Sequence, residues 1–234
     1  MVYNTMDQVV ATQDSLQRKN NQWLYTKYDA QGRVITTGIY AANVSRASLQ
    51  STLDGITTNL FEAPSTGTTD HYTNAAWPTS STTPLTYNYY DSYSNPPAMP
   101  SKFTAPAGAD LATRGQLIAT KTAVLNTPAD MLWTKHYYDY FGRSLTAYSQ
   151  HYLGGSVNSN NFDRDSVTYD FTNAPTTTTR KHWISSNTSN PLVTIFNKYL
   201  YDHMGRKVKT WQNIANGSAA LQGYGSTFNL QNRL

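Results

Sequence analysis

The stretch "YDHMGR", Tyr201 to Arg206, indicates how this chain folds, because the same pattern occurs earlier as "YDAQGR" (Tyr28 to Arg33) and "YDYFGR" (Tyr138 to Arg143). Asp at the first and Gly at the fourth position of a four-residue turn are the preferences of a type I turn. The Asp carboxylate can accept from backbone N–H groups two residues on, and Gly at positive φ forms the bulge that joins antiparallel strands. The motif Tyr-Asp-x-x-Gly-Arg therefore predicts a β-hairpin. The motif residues expected to shape the sheet are Tyr28, Asp29, Gly32, Arg33, Tyr138, Asp139, Gly142, Arg143, Tyr201, Asp202, Gly205 and Arg206.

The Tyr and the Arg of each copy flank the turn on neighbouring strands, so we expect them to meet across their own hairpin. An Arg guanidinium over a Tyr ring gains about 0.5–2 kcal/mol, depending on how far the pair is removed from water. We therefore predict a cation–π contact between the Arg and the Tyr of each hairpin, such as Arg33 with Tyr28, and call this contact a clasp.

Looser copies of the motif begin at Tyr3, Tyr90, Tyr169 and Phe228. Most of the intervals between copies suit a unit of two to four strands, and the two longest must hold insertions. Such repetition predicts a mainly β fold, an antiparallel repeat sheet built of successive β-hairpins, with one short helix in an insertion.

An aromatic residue stands five positions before the Tyr of each complete copy, at Trp23, Trp133 and Phe196. In a strand of period two this residue lies on the opposite face from the Tyr. Its fixed register favours internal packing. The alternative is a ligand surface on which aromatic rings stack against sugars. The candidates for that surface are Trp23, Trp133, Trp183 and Trp211.

We expect a single domain over residues 1–234, or a fragment of a longer shell, with an insertion over about residues 41–114. Within the insertion, Ser45 caps a predicted helix over residues 45–55 that ends near Gly55. Loops rich in Ser, Thr and Pro follow. The alternating, β-branched stretch from Gly115 to Leu125 predicts a return to strand.

Composition excludes several classes of protein. Charged residues make up 14% of the chain and aromatic residues 13%, a balance typical of β-rich extracellular proteins and unlike that of disordered chains. The absence of Cys excludes disulfides and thiol catalysis. A net charge of +4 without a basic run argues against nucleic acid as a partner, and no apolar run is long enough for membrane insertion. The N-terminus lacks the pattern of a signal peptide, so we expect a piece of a longer protein.

Catalytic and metal-binding patterns are weak. No nucleophile motif occurs, and the five His residues show no paired spacing. The motif carboxylates are accounted for as turn caps. Asp163 and Asp165 share a strand face and form either a cation site or a solvated strand end. We expect no catalytic activity, no cofactor and no metal site.

The motif resembles the signature of the Rhs/YD-repeat family, Y-D-x-x-G-R-L. The copies "YDAQGRV", "YDYFGRSL" and "YDHMGRKV" carry the resemblance, and "FNLQNRL" (Phe228 to Leu234) is a degenerate copy. The final Leu of the signature is displaced, since Ser144 and Lys207 take its place. The stretch from Asp7 to Ile35 looks most similar to Rhs proteins of Bacteroidetes.

The resemblance implies a sheet that spirals into a hollow shell, which in toxin complexes encloses a C-terminal toxic domain and in animal teneurins serves adhesion. It implies a segment of a structural shell or scaffold in a large secreted or cell-surface bacterial protein. The implied partners are neighbouring repeats of the parent chain and an encapsulated toxin domain. No equivalent of the family's self-cleaving aspartate pair is present. The alternative is an adhesion or carbohydrate-binding module that holds surface glycans with exposed Tyr and Trp.

Overall fold

The computed structural model describes residues 1–217, and over these residues the fold is mainly β, with twelve antiparallel strands and two helices. The described chain forms two compact units: Met1–Ala98 with Arg114–Met131, and Met99–Thr113 with residues 132–217. The prediction of an antiparallel sheet of successive hairpins is confirmed. The prediction of a single domain stays a prediction.

The first unit contains six strands that pair in chain order. They are β1 (Val2–Tyr3), β2 (Val9–Thr12), β3 (Gln22–Tyr28), β4 (Val34–Ala41), β5 (Thr82–Tyr90) and β6 (Leu117–Val124). Its two helices are α1 (Ser15–Lys19) and α2 (Arg46–Asp54). None of the helices in the part of the chain that the structure describes is long and apolar enough to cross a membrane.

The second unit continues the same arrangement, and the boundary between the units falls within β7. Its strands pair in the order of the chain. They are β7 (Thr127–Tyr138), β8 (Ser144–Gln150), β9 (Phe162–Tyr169), β10 (Pro175–Trp183), β11 (Val193–Tyr201) and β12 (Lys207–Asn216).

The structure confirms the predicted helix within the insertion and the predicted strand after it. It corrects the extent of the insertion itself. Helix α2 begins after Ser45, whose side chain accepts from the backbone N–H of Ser48 at 3.1 Å. Strand β6 lies within the stretch predicted as strand. Strand β5, however, returns to the sheet inside the range 41–114, so that range is two excursions and not one.

Helix α1 was not predicted, although its cap is visible in the sequence. The side chain of Asp14 accepts from the N–H of Gln17 at 2.7 Å, and the Gln17 side chain accepts from the N–H of Asp14 at 2.9 Å. This reciprocal pair is a capping box, which stabilises the first turn of a helix too short to form by propensity.

One face of β3 is buried and carries alternate residues, Trp23, Tyr25 and Lys27. This alternation confirms that the aromatic five positions before the motif Tyr lies on the other face from it.

The excursion before β5 lies against the sheet, where Tyr72 stacks on Tyr89 with ring centroids 5.4 Å apart.

The second unit buries the corresponding residues of β7, Trp133, Lys135 and Tyr137. Here the short segment Met99–Thr113 supplies Phe103, whose ring stacks on Tyr148 at a centroid distance of 4.7 Å. Tyr137 donates its hydroxyl to the Phe103 carbonyl at 2.6 Å. In each unit, therefore, an inserted segment packs on the strand residues that precede a motif turn.

Candidate functional site

The repeated turn has the same backbone geometry in all three complete copies. In the first copy, Gly32 donates its N–H to the Asp29 carbonyl at 3.0 Å, and Asp29 donates to the Arg33 carbonyl at 3.0 Å. The strand register shifts at Tyr28, where the bulge lies. The motif glycines have positive φ, which L side chains rarely adopt: Gly32 +78°, Gly142 +75° and Gly205 +74°. The predicted hairpin turn, with a bulge and a Gly at positive φ, is confirmed.

The Asp of each copy uses both carboxylate oxygens inside its own turn. Oδ1 of Asp139 accepts from the N–H groups of Phe141 and Arg143, each at 2.9 Å. Oδ2 accepts from the Nε of the motif Arg in every copy. Those distances are 2.7 Å for Arg33–Asp29, 2.6 Å for Arg143–Asp139 and 2.7 Å for Arg206–Asp202.

Two looser copies keep this turn with other residues. Asn4 accepts from the N–H groups of Met6 at 3.0 Å and Gln8 at 2.9 Å, as a motif Asp would. Asp170 accepts in the same way, and Asn173 has φ +69° at the place of the motif Gly. An amide can therefore replace the carboxylate, and Asn can replace Gly, without loss of the turn. The copy that begins at Phe228 lies outside the described residues.

In four copies, the Tyr that begins the copy makes a hydrogen bond to the preceding hairpin. Its hydroxyl donates to the backbone carbonyl that follows the Arg position of the copy before it. These bonds are Tyr28 to Val9 at 2.8 Å, Tyr90 to Val34 at 3.1 Å, Tyr169 to Ser144 at 2.9 Å and Tyr201 to Pro175 at 3.0 Å. Tyr138 ends β7, and its carbonyl accepts from the N–H of Asp110 at 2.9 Å.

In the first two complete copies, the motif Arg makes a cation–π contact with the next copy. The guanidinium carbon of Arg33 lies 4.4 Å from the ring centroid of Tyr90, and that of Arg143 lies 4.8 Å from the centroid of Tyr169. The predicted clasp within a hairpin is therefore wrong for Arg33, whose ring contact is with Tyr90 and not with Tyr28. The reason is that Asp29 and Asp139 hold the Nε atoms, which leaves the outer edge of each guanidinium facing the following hairpin.

The outer nitrogens of the guanidinium also bond to the following copy. Arg33 donates from Nη1 and Nη2 to the two carboxylate oxygens of Asp91, at 2.9 and 2.7 Å. Hydrogen bonds from Arg33 hold the pKa of Asp91 below its usual value, and the bond to Asp91 raises the pKa of Arg33. Arg143 donates from Nη1 to the side-chain oxygen of Asn173 at 2.8 Å. Consecutive hairpins are thus joined by a cation–π contact and hydrogen bonds in both directions.

The last complete copy differs from the first two in exposure. The side chain of Arg206 is 76% exposed, whereas Arg33 is 24% and Arg143 is 22% exposed. All three make the same contact with their own Asp. Contacts with the following hairpin cover Arg33, through Tyr90 and Asp91, and Arg143, through Tyr169 and Asn173.

The four tryptophans predicted as a ligand surface divide into two pairs. Trp23 and Trp133 are 1% and 7% exposed, so the prediction that they offer a surface for a ligand is wrong. Trp183 and Trp211 are half-buried, and Trp183 stacks on Phe162 at a centroid distance of 4.9 Å. For Trp183 and Trp211 the ligand surface stays a prediction.

The first unit holds a buried ion pair that the sequence did not suggest. Lys27 Nζ lies 2.8 Å from Glu62 Oε1, and the two side chains are 6% and 1% exposed. Glu62 also accepts from the Thr73 hydroxyl and from the N–H groups of Ala75 and Ala76. These bonds satisfy the buried carboxylate and attach the excursion before β5 to the sheet.

Beside this pair is a polar cavity of about 340 Å³, lined among others by Tyr25, Asp70, Asn74 and Tyr87. Tyr87 donates its hydroxyl to Asp70 at 2.8 Å. Burial raises the pKa of Tyr25 to about 12 and raises that of Tyr87 further. Both phenols are therefore neutral at physiological pH, and that of Tyr87 is a hydrogen-bond donor to Asp70.

Three side chains from the second unit that could hold a metal lie together: His151, Asp163 and His182. Sequence spacing gave no sign of this, because strand pairing is what joins them. Asp163 and Asp165 do lie on one strand face, as predicted, and Arg180 contacts both, at 2.7 and 3.9 Å. Burial raises the pKa of Asp165. Burial also acts to raise the pKa of Asp163, but hydrogen bonds from Arg180 and His182 outweigh it and the pKa is lowered.

No protein-family model matches the chain, and the comparison with curated proteins finds no significant match.

Proposed function

We propose that this chain is a non-catalytic structural module, a YD-repeat segment of a shell or scaffold in a large secreted or cell-surface bacterial protein. The observation that carries the proposal is the set of contacts that join successive copies of the motif. Arg33 reaches forward to Tyr90 and Asp91, while Tyr90 reaches back to the carbonyl of Val34. A motif whose Arg and Tyr side chains join one hairpin to the next is suited to a continuous wall of hairpins.

The proposed partners are neighbouring repeats of the parent chain, with a toxin domain enclosed by the wall that they complete. The pairs that support this are Arg33 with Tyr90 and Arg143 with Tyr169, each of which joins one copy of the motif to the next.

Limited proteolysis tests the enclosure, using the longer polypeptide proposed to contain this chain. With the motif intact, the domain that follows the repeats should resist a protease for longer than the same domain produced alone. Replacing Arg33 and Arg143 by Met should shorten that protection, because adjoining hairpins separate more readily. Equal digestion of the domain inside and outside the longer polypeptide would count against enclosure.

Carbohydrate binding is the second candidate, and the polar cavity favours it. Hydroxyl, amide and carboxylate groups line about 340 Å³ of space, which is the chemistry that recognises sugar hydroxyls. A glycan array separates the two functions. The scaffold proposal expects no selective retention of the wild-type chain. Selective retention that is lost in Asp70→Asn or Tyr87→Phe, with unchanged unfolding, would support a binding module instead.

A further inference from the structure

Three strand segments of the second unit bring two imidazoles and a carboxylate together on one face of the sheet. Asp163 on β9 is the register partner of His182 on β10 and of Ser149 on β8. His151 lies two residues beyond Ser149 and extends the pairing by donating its N–H to the Asn161 carbonyl at 3.2 Å. Because alternate residues of a strand share a face, His151, Asp163 and His182 converge. One ligand atom from each of the three lies within 4.8 Å of the others.

The hydrogen bonds around His151 fix which nitrogen could bind a metal. Its Nε2 lies 3.0 Å from the carbonyl oxygen of Trp183. A carbonyl only accepts, so Nε2 carries the hydrogen and the lone pair of the neutral ring is on Nδ1. Metal-binding histidines commonly donate their second nitrogen to a backbone carbonyl, which orients the ring and sets its tautomer.

His182 and Asp163 are already in contact, with Nδ1 and Oδ1 2.6 Å apart. The rings of His151 and His182 stack with centroids 4.7 Å apart and planes inclined by 19°. A metal with bonds of about 2.0–2.2 Å needs its ligand atoms roughly 3.3 Å apart. Metal binding would therefore draw the ligand atoms closer by rotation about the side-chain χ angles, and a metal on His182 Nδ1 would displace the proton that Nδ1 now donates to Asp163 Oδ1.

The charges around the cluster are compatible with a cation. Arg180 donates from Nη2 to Asp163 Oδ2 at 2.7 Å, which leaves Oδ1 on the side of His182. Asp165 lies 3.9 Å from Arg180 Nε and offsets its charge. The two carboxylates and one guanidinium sum to a formal charge of −1.

We propose that His151, Asp163 and His182 form a divalent metal site of the second unit, with Zn²⁺ as the metal that this donor set favours. Two imidazole nitrogens and one carboxylate oxygen are ligands that Zn²⁺ takes readily, with water as a fourth. A bound ion would link β9, β10 and the end of β8. The site is independent of the motif turns, so it stands or falls separately from the scaffold function.

Binding of ZnCl₂ to the full chain without an affinity tag, measured by titration calorimetry at neutral pH, tests the site. We expect one equivalent to bind, and His151→Ala, Asp163→Asn and His182→Ala each to weaken binding about ten-fold or more. His203→Ala, which removes an exposed His from a motif turn, is the matched control and should leave affinity unchanged. No binding by the wild-type chain, or equal weakening by His203→Ala, would overturn the proposal.

A second measurement on the wild-type chain covers the case in which a variant fails to fold. Co²⁺ should give the intense visible absorption of a low-symmetry four-coordinate site. Zn²⁺ should shift the imidazole NMR signals of two of the five histidines. Signals of all five that move together, or of none, would contradict a defined site.

Discussion

The guanidinium carbon of Arg33 lies 4.4 Å from the ring centroid of Tyr90, in the hairpin that follows its own. The same Arg is held by Asp29 through Nε, so one side chain both closes its own turn and binds the next. A cation–π contact of this kind contributes about 0.5–2 kcal/mol, depending on desolvation. The repeated motif therefore encodes the joining of hairpins as well as the turn itself.

The turn carboxylate should contribute to stability through the donors it satisfies. Replacing Asp139 by Ala removes an acceptor from two backbone N–H groups and from Arg143. We expect the free energy of unfolding to fall by about 2 kcal/mol, measured by urea denaturation. Asp54→Ala, at an exposed position in α2, is the control and should change it far less. Equal losses in the two variants would show that the turn acceptor is dispensable.

The buried ion pair should be costly to break on one side. Lys27→Met leaves the Glu62 carboxylate buried at 1% exposure without its cation, and we expect a loss of about 3–5 kcal/mol. Adding Glu62→Gln should recover part of that loss, since the amide removes the unpaired charge and still accepts. Lys19→Met, at an exposed site, is the control in the same denaturation series. A double variant no more stable than Lys27→Met alone would contradict the account of the pair.

Gly38 allows β4 and β5 to approach closely over the Tyr25 ring. A Cβ at this position would lie 2.4 Å from the Thr83 carbonyl oxygen and 2.7 Å from Tyr25 Cε1. We expect Gly38→Ala to lower the free energy of unfolding by about 1–3 kcal/mol. Gly67→Ala, whose Cβ would meet nothing closer than 3.7 Å, should have little effect. A tolerated Gly38→Ala would mean that the two strands can separate at no cost.

Acid should weaken the contact between Arg33 and Asp91. The hydrogen bonds from Arg33 lower the pKa of Asp91 in the folded chain, whereas an unfolded Asp has a pKa of about 3.9. The unfolded state therefore binds more protons in this range, so the stabilisation is present above about pH 4 and is lost as pH falls through the lowered pKa. Urea unfolding as a function of pH measures it. Asp91→Asn should show a shallower decline below about pH 4, and an unchanged profile would refute the assignment.

The sequence predicted the contacts between residues that are close in the chain. It missed the contacts between residues that strand pairing brings together. Asp, Gly and the bulge of the Tyr-Asp-x-x-Gly-Arg turn lie within six residues, so their geometry followed from turn chemistry. Helix α2 followed from Ser45 and its apolar spacing. The direction of the Arg33 side chain did not follow from the sequence, because it depends on Tyr90, which is in a strand far along the chain. The alternating burial of β3, in contrast, was readable from Trp23 and Tyr28.

The same limit explains the groups that spacing left apart. Glu62 and Lys27 are 35 residues apart, and only the folded excursion places the carboxylate beside the sheet. His151 and His182 meet because β8, β9 and β10 pair in one register. Neither the turn motif nor hydrophobic periodicity carries information about such pairs.

A double-mutant cycle between Arg33 and Tyr90, set against one between Arg33 and Tyr28, tests most directly whether the motif joins successive hairpins. The variants are Arg33→Met, Tyr90→Leu and Tyr28→Leu with both double combinations, and the free energy of unfolding is the quantity compared. The account predicts a coupling of about 0.5–2 kcal/mol for Arg33 with Tyr90 and near zero for Arg33 with Tyr28. Coupling of Arg33 to Tyr28 without coupling to Tyr90 would contradict it.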